Sequence, residues 1–425
     1  MQTHSYTLEN GLRVMLIDTK AFPSVTTLLL VKAGSRFEDT HNNGIAHFFE
    51  HMAFKGSKKY PNAQALAEMI EGRGGIFNAF TSDDHTGYYV KAPAEDTDVV
   101  IDVIGDMIQH PLLDPKEIEK EKGVIIQEMN MYEDMPGRTI YEIFENVLFG
   151  DHPLGYKIIG TKKSVMDATQ KTFKDYIGQW YHPENAVLII AGGLTSDAGR
   201  TLEYYKDAVG KRFDAWTSQT TPEFARVNIT QTEPVSRIEY KKSEQAHFCL
   251  GFRTFDRFDE KRYALSVLSA VLGMGMTSRL FREVRENRGL CYSVSTFTEY
   301  YDDAGYMATY AGVEPDLAKV QEAITVIMHE HELVKKELVP QDELDRAKEL
   351  IKGRLILSME DTFNVAATYG TKELFQNKLF DIDDYIARID AITAEDVRSI
   401  AQEVCVPDQR NFALIGPFKG AKIEF

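Results

Sequence analysis

Cysteine is scarce in this sequence, and the few that occur stand far apart. The 425 residues contain three cysteines, Cys249, Cys291 and Cys405, with no Cys-x-x-Cys pair among them. A disulfide framework needs several paired cysteines, and a cysteine zinc site needs closely spaced thiolates, so the sequence argues against both. We interpret the three residues as core thiols in a reducing compartment.

Long apolar runs are also missing. No stretch approaches the roughly 20 apolar residues that a membrane-spanning helix needs. The first residues, Met-Gln-Thr-His-Ser-Tyr, have neither the basic start nor the apolar run of a signal peptide. We therefore expect a soluble, cytoplasmic protein without a membrane partner.

Positive charge is in deficit. The 48 Lys and Arg residues are outnumbered by 65 Asp and Glu residues, which gives a formal net charge of −17. Nucleic acids and anionic membranes attract proteins through positive surfaces, so we expect neither of them as a partner.

The chain is long enough for two domains, and its two halves resemble each other. A Thr-capped helix, a proline turn and a terminal strand make up residues 169–190, and the same series recurs in residues 393–415. The predicted fold is α+β, with two duplicated domains that are each a mostly antiparallel sheet packed with helices. The predicted divisions are a first domain, a linker rich in Thr, Pro, Ser and Gln, and a second domain: residues 1–215, 216–235 and 236–425.

Two histidines and a glutamate occupy one face of a predicted helix in the first domain. His47 and His51 lie about one turn apart, and Glu50 lies three residues after His47. Asn42 and Asn43 precede this helix and are expected to cap it. Paired imidazoles with a neighbouring carboxylate are the groups that a zinc-activated water requires.

A hydrolytic zinc site needs a third protein ligand, and the helix predicted for residues 115–132 offers several acids. Glu128 lies in its apolar second half, where a carboxylate is costly unless it is paired or bound to a metal. Glu121 lies two turns earlier on the same face and is placed to orient a histidine. His329 and His331 point to different faces of their helix, so we interpret them as a solvated patch.

The order His-x-x-Glu-His is inverted from the usual zincin motif and resembles the inverted zincins of the pitrilysin/insulinase family of metallopeptidases. The resemblance covers the whole chain and is greatest to bacterial members that look like mitochondrial processing peptidase. The family's third ligand is a Glu separated from the motif by 76 residues, which selects Glu128, and a second acid seven residues earlier falls on Glu121. Two further matches are Gly74-Gly75-x-x-Asn78-Ala79 and Arg285-x6-Tyr292.

This resemblance implies a zinc-dependent endopeptidase with one Zn²⁺ per chain, acting on peptides or small unfolded proteins in a closed chamber. Glu50 would be the general base. Arg285 and Tyr292 would hold the substrate and stabilise the negative charge that develops on its carbonyl oxygen. Residues 76–80 would form an edge strand that pairs with an extended peptide. The peptide-contacting residues implied there are Asn78, Ala79 and Phe80.

The resemblance also bears on assembly. In longer single-chain members the segment matching Arg285 and Tyr292 lies opposite the zinc domain, so a two-domain chain is expected to complete its site as a homodimer. One alternative is a heterodimeric protease dedicated to one precursor. Another is a non-catalytic scaffold subunit, which is disfavoured because such relatives typically lose motif residues and none is lost here.

Overall fold

The computed structural model describes residues 1–20, 22–195 and 200–425. The strands are β1 Gln2–Thr7, β2 Arg13–Asp18, β3 Ser24–Val31, β4 Ile76–Thr81, β5 Thr86–Pro93, β6 Ala186–Gly192, β7 Val235–Tyr240, β8 Ala246–Thr254, β9 Cys291–Tyr300, β10 Gly305–Val313 and β11 Asn411–Gly416. The helices are α1 Ile45–Ala53, α2 Ala63–Glu71, α3 Thr97–Gln109, α4 Pro115–Glu133, α5 Pro136–Phe149, α6 Lys162–Asp167, α7 Gln170–Trp180, α8 Leu202–Phe213, α9 Arg262–Gly273, α10 Leu317–Lys336, α11 Gln341–Ser358, α12 Thr362–Gln376, α13 Ile382–Ala391 and α14 Ala394–Val404.

The chain divides into two compact units, and neither unit is continuous in sequence. Unit 1 comprises Met1–Met129, Tyr156–Ala225 and Ser358–Phe380. Unit 2 comprises Asn130–Gly155, Arg226–Leu357 and Asp381–Phe425. The sequence prediction of continuous domains at 1–215 and 236–425 did not include this exchange of two helical segments. The segment predicted as a linker, 216–235, contains no helix, and only its last residue lies in a strand.

The two units contain sheets of the same design. Unit 1 has a six-stranded sheet in the order β1-β2-β6-β3-β5-β4, and unit 2 has a five-stranded sheet in the order β7-β11-β8-β10-β9. In both sheets one pair is parallel, β2 with β6 and β7 with β11, whereas the remaining neighbours are antiparallel. The predicted α+β fold with two mostly antiparallel sheets is therefore confirmed.

Each sheet is covered on one face by a helix from the other half of the sequence. In unit 1, α12 packs across β3 and β6, and its Gly370 allows a close approach because a Cβ there would lie 2.5 Å from Ile189 Cδ1. In unit 2, α5 packs across β8 and β11 through apolar residues such as Phe144. These contacts explain why both segments group with a distant part of the chain.

The repeat predicted from the two chain segments is visible in matching helix starts. Thr169 caps α7 and Thr393 caps α14, and each forms a capping box in which its side chain accepts from the third helical N–H. The three cysteines are all buried and unpaired. Among the helices described, none is both long enough and apolar enough to cross a bilayer.

Candidate metal centre

A buried carboxylate fixes the start of α1, the helix with both motif histidines. Glu38 is 5% exposed and accepts hydrogen bonds from Gly44 N at 2.7 Å, Ala46 N at 2.8 Å and Asn43 Nδ2 at 2.9 Å. The helix has Gly44 at its N-cap with φ +92°, and no side chain at that position caps it. The expectation that Asn42 and Asn43 would cap α1 was therefore wrong, because Glu38 satisfies the free N–H groups instead.

Three donor atoms converge at the surface of unit 1. His47 and His51 from α1 and Glu128 from α4 each offer one atom, and these atoms lie within 4.8 Å of one another. His47 Nε2 is 3.7 Å and His51 Nε2 is 3.4 Å from Glu128 Oε2. Ligand atoms held about 2.0–2.1 Å from a tetrahedral zinc ion lie about 3.4 Å apart, so the donor set fits zinc and the two distances to Glu128 are close to this value.

Glu121 lies behind His51, where the sequence placed it. Its Oε1 is 2.9 Å from His51 Nδ1, and its Oε2 is 2.5 Å from Lys55 Nζ. Burial opposes ionisation of Glu121, but hydrogen bonds from His51 and Lys55 outweigh it and hold the pKa of Glu121 below its usual value. Because Glu121 occupies Nδ1, the Nε2 atom of His51 is left to face Glu128.

The carboxylates also affect the pKa of His51. Burial disfavours a charged imidazole, but hydrogen bonds from His51 to Glu121 and Glu128, together with their charges, outweigh burial. The pKa of His51 is raised to about 9.

Glu50 is oriented by a side chain from the neighbouring edge strand. Its Oε2 accepts a hydrogen bond of 2.6 Å from the hydroxyl of Thr81, the last residue of β4. Thr81 shares a strand face with Ala79, because side chains on a strand alternate. Within the described part of the chain, the other oxygen of Glu50 has no hydrogen-bond partner.

Strand β4 lies at the edge of the unit 1 sheet, where the sequence predicted an edge strand. Asn78 is exposed, and its Oδ1 accepts a 2.9 Å hydrogen bond from the backbone N–H of Ala79. Phe80 is partly buried and packs edge-on against Phe363 of α12. The strand pairs with β5 alone among the described strands, so its outer side can accept a further strand.

Arg285 and Tyr292 come together on unit 2. The Arg285 guanidinium carbon lies 5.2 Å from the Tyr292 ring centre and 4.6 Å from the Phe281 ring centre. Arg285 belongs to a short π-helix, Phe281–Glu286, and such helices are frequent at functional sites.

Tyr292 owes its exposure to an irregularity in β9. Gly312 of β10 pairs with Ser293, but Val313 pairs with Cys291, so Tyr292 is an extra residue in a β-bulge. Its side chain is 75% exposed although both of its neighbours in the strand are at least partly buried. Bulges of this kind re-aim a side chain and are common near active sites.

Sequence reasoning missed Glu38, Lys55 and Thr81. Lys55 lies four residues after His51, so helical spacing was a usable indication of their proximity. The alternation of side chains along a strand likewise predicts that Thr81 lies on the same face as Ala79, which is the face that contacts Glu50. The predicted solvated histidine pair was wrong for His331, which is 3% exposed.

Comparisons with known proteins cover nearly the whole chain. Residues 13–162 match the model for insulinase (peptidase family M16), and residues 167–351 match the model for the peptidase M16 inactive domain. An uncharacterized zinc protease of Bacillus subtilis is 34% identical, covering 97% of this chain and 98% of its own. An uncharacterized zinc protease of Streptomyces coelicolor is 33% identical, covering 97% and 89% respectively.

Solved structures agree on the fold. A protease from Helicobacter pylori superposes with a TM-score of 0.89 at 24% identity, covering 98% of this chain and 99% of that one. A Pseudomonas fluorescens structure described as a peptidase M16 inactive domain gives a TM-score of 0.85 at 19% identity, covering 99% and 100%. With both family models matched in sequence order and the inverted zinc motif intact, this chain belongs to the insulinase family of peptidases, peptidase family M16.

Proposed function

We propose that this protein is a zinc-dependent endopeptidase that hydrolyses peptides or small unfolded proteins in the cytoplasm. The observation that carries the proposal is the convergence of donor atoms from His47, His51 and Glu128, with Glu50 on the same helix face. Two imidazoles and one carboxylate form the ligand set of catalytic zinc sites, which keep a fourth position open. The relatives named zinc proteases support the same assignment.

His47, His51 and Glu128 would hold a zinc ion, which would supply the Lewis acidity that polarises a carbonyl group and makes water a better nucleophile at neutral pH. Glu50 takes a proton from the attacking water as that water adds to the peptide carbonyl carbon. Glu50 then gives the proton to the amide nitrogen as the carbon–nitrogen bond breaks. Thr81 holds one oxygen of Glu50, so proton transfer uses the other.

The edge strand β4 provides a way to bind peptides with little sequence preference. An extended peptide that pairs with β4 gains backbone hydrogen bonds, and its alternate side chains contact the sheet surface. Such a peptide would take over the N–H of Ala79, which now bonds to Asn78 Oδ1. The released Asn78 amide could then bond to the peptide backbone, and Phe80 would contact its side chains.

We propose that Arg285 and Tyr292 act in a homodimer, each reaching the zinc site of the partner copy across a closed chamber. The guanidinium and the phenol are both hydrogen-bond donors, as the developing oxyanion requires. The support is that a single chain contains both the proposed zinc site and the Arg285–Tyr292 pair. In addition, Arg285 lies in a π-helix and Tyr292 in a β-bulge, which are both unusual backbone conformations. A heterodimer with a related chain would use the same groups.

Metal analysis and one substitution test the catalytic proposal. The purified protein should contain zinc, and it should cleave a mixed peptide library only when chelator is absent. Glu50→Gln should retain zinc and lose at least about a hundredfold in kcat, because the base is gone. Glu71→Gln, at the exposed end of α2, is the matched control and should keep full activity. Unchanged activity in Glu50→Gln would end the proposed mechanism, and background metal content would favour the scaffold alternative.

Mixing two inactive variants tests the shared site. A Glu50→Gln chain and a Tyr292→Phe chain each lack one group, whereas a hybrid dimer has one complete site if the groups act in trans. Random mixing should then restore about one quarter of the wild-type activity. No recovery on mixing, with hybrid dimers present by mass spectrometry, would overturn the trans arrangement.

A further inference from the structure

Lys55 is the cation closest to the buried acid behind His51. It lies two residues beyond the last residue of α1, and its Nζ is 2.5 Å from Glu121 Oε2. The other oxygen of Glu121 is 2.9 Å from His51 Nδ1. Glu121 is 4% exposed, so it has little contact with water and depends on these two partners.

From this geometry we infer that Lys55 is a positioning residue for the metal centre. It holds Glu121 by one oxygen, and Glu121 in turn holds His51 by the other, so that His51 Nε2 faces the metal position. This inference rests on the proposed zinc site.

Charge counting at the loaded site leads to the same assignment. The centre contains three carboxylates, Glu50, Glu121 and Glu128, and the zinc ion supplies two positive charges. One negative charge is left over, and the ammonium group of Lys55 balances it. Without this ammonium group, Glu121 would be a buried carboxylate supported only by an imidazole, and an incompletely paired buried charge is destabilised.

Zinc affinity tests this role directly, because groups that orient a metal ligand typically change affinity by 10–100-fold. Lys55→Met keeps most of the side-chain length and removes the charge. We expect its zinc dissociation constant, measured by competition with a chromophoric chelator, to rise about 10–100-fold. Excess zinc should then restore activity. Lys120→Met is the matched control, since Lys120 precedes Glu121 on α4 but pairs with Glu117, and its zinc affinity should not change.

A double-mutant cycle separates this role from general damage. In a Glu121→Gln background, Lys55→Met should cause no further loss of zinc affinity, because Lys55 acts on His51 only through the Glu121 carboxylate, which is already absent. Two results would overturn the inference: a dissociation constant within twofold of wild type, or an undiminished loss in the Glu121→Gln background. If the wild type itself bound no zinc, or if His47→Ala left zinc binding intact, the proposed site would fail instead.

Discussion

Acid is expected to destabilise unit 2 through one buried histidine. His331 on α10 packs edge-on against Phe252, and within the described part of the chain neither of its ring nitrogens has a hydrogen-bond partner. Burial, followed by the positive charge of Arg410, lowers the pKa of His331 from 6.5 to about 4. Lys335 acts in the same direction, whereas Glu332 opposes it.

The sign of the effect follows from where the proton binds. Below about pH 6.5 the unfolded chain takes up a proton at this imidazole, whereas the folded chain does so only near pH 4. The stabilisation is therefore complete above pH 6.5 and is lost as the pH falls toward 4. The difference between the two pKa values corresponds to roughly 3 kcal/mol of unfolding free energy, of which about 2 kcal/mol is lost by pH 5.

Urea unfolding at pH 7 and pH 5 measures this loss. The three cysteines are buried and belong to unit 2, so labelling with a pyridyl disulfide that reacts at acidic pH reports the unfolding of this unit. His331→Leu should lose about 2 kcal/mol less than wild type on acidification. His329→Leu, at an exposed position on the same helix, should behave as wild type. If His331→Leu loses as much stability as wild type, the buried neutral imidazole is not the cause.

Three further outcomes follow from the metal centre. Thr81→Val should lower kcat about tenfold with zinc content unchanged, because one hydrogen bond to the charged Glu50 is lost, and Thr81→Ser should restore it. Glu38→Ala should lower the unfolding free energy of unit 1 by roughly 2–3 kcal/mol, followed by tryptophan fluorescence, since both tryptophans belong to that unit. An unchanged transition would contradict the capping role. Native mass spectrometry should find one zinc per chain, and two would contradict the assignment.

The convergence of His47, His51 and Glu128 was predictable because its information is largely local. His47, Glu50 and His51 occupy one helix, where fixed periodicity determines their common face. Glu128 was identified because it is an acidic residue in an apolar helix segment, where a carboxylate is costly unless it is paired or bound to a metal. The structure brings His47, His51 and Glu128 within reach of a single ion.

The supporting residues were harder to predict because their partners come from other elements. Glu38 reaches α1 from a preceding turn, and Thr81 reaches Glu50 from the edge strand. The exposure of Tyr292 depends on a bulge, and strand alternation cannot reveal an extra residue. The exchange of α5 and α12 was also beyond the sequence pattern, since an amphipathic helix shows that it covers a sheet but not which one.

The duplicated helices α4 and α11 share a structural lysine. Lys122 of α4 is buried and donates from Nζ to the carbonyl of Met166, the next-to-last residue of α6. Lys348 of α11 is also buried and donates to the carbonyl of Asp390, the next-to-last residue of α13. Each lysine thus connects its long helix to the end of the short helix, α6 or α13, that precedes a Thr-capped helix. The two lysines can therefore be aligned with each other, and this alignment gives a register for comparing α4 with α11.

In that register the acids proposed for the metal centre, Glu121 and Glu128, have no counterpart in unit 2. Glu121 directly precedes the lysine of α4, whereas Ala347 precedes the lysine of α11. Glu128 follows the first lysine by six residues, and at the same distance from the second lysine stands Arg354, which is exposed. A cation at this position repels a metal ion, and alanine cannot orient a histidine. The fold does not need these acids, because unit 2 forms a five-stranded sheet of the same design without them. Their presence in α4 fits the proposed metal role, and we expect a single metal centre in each chain.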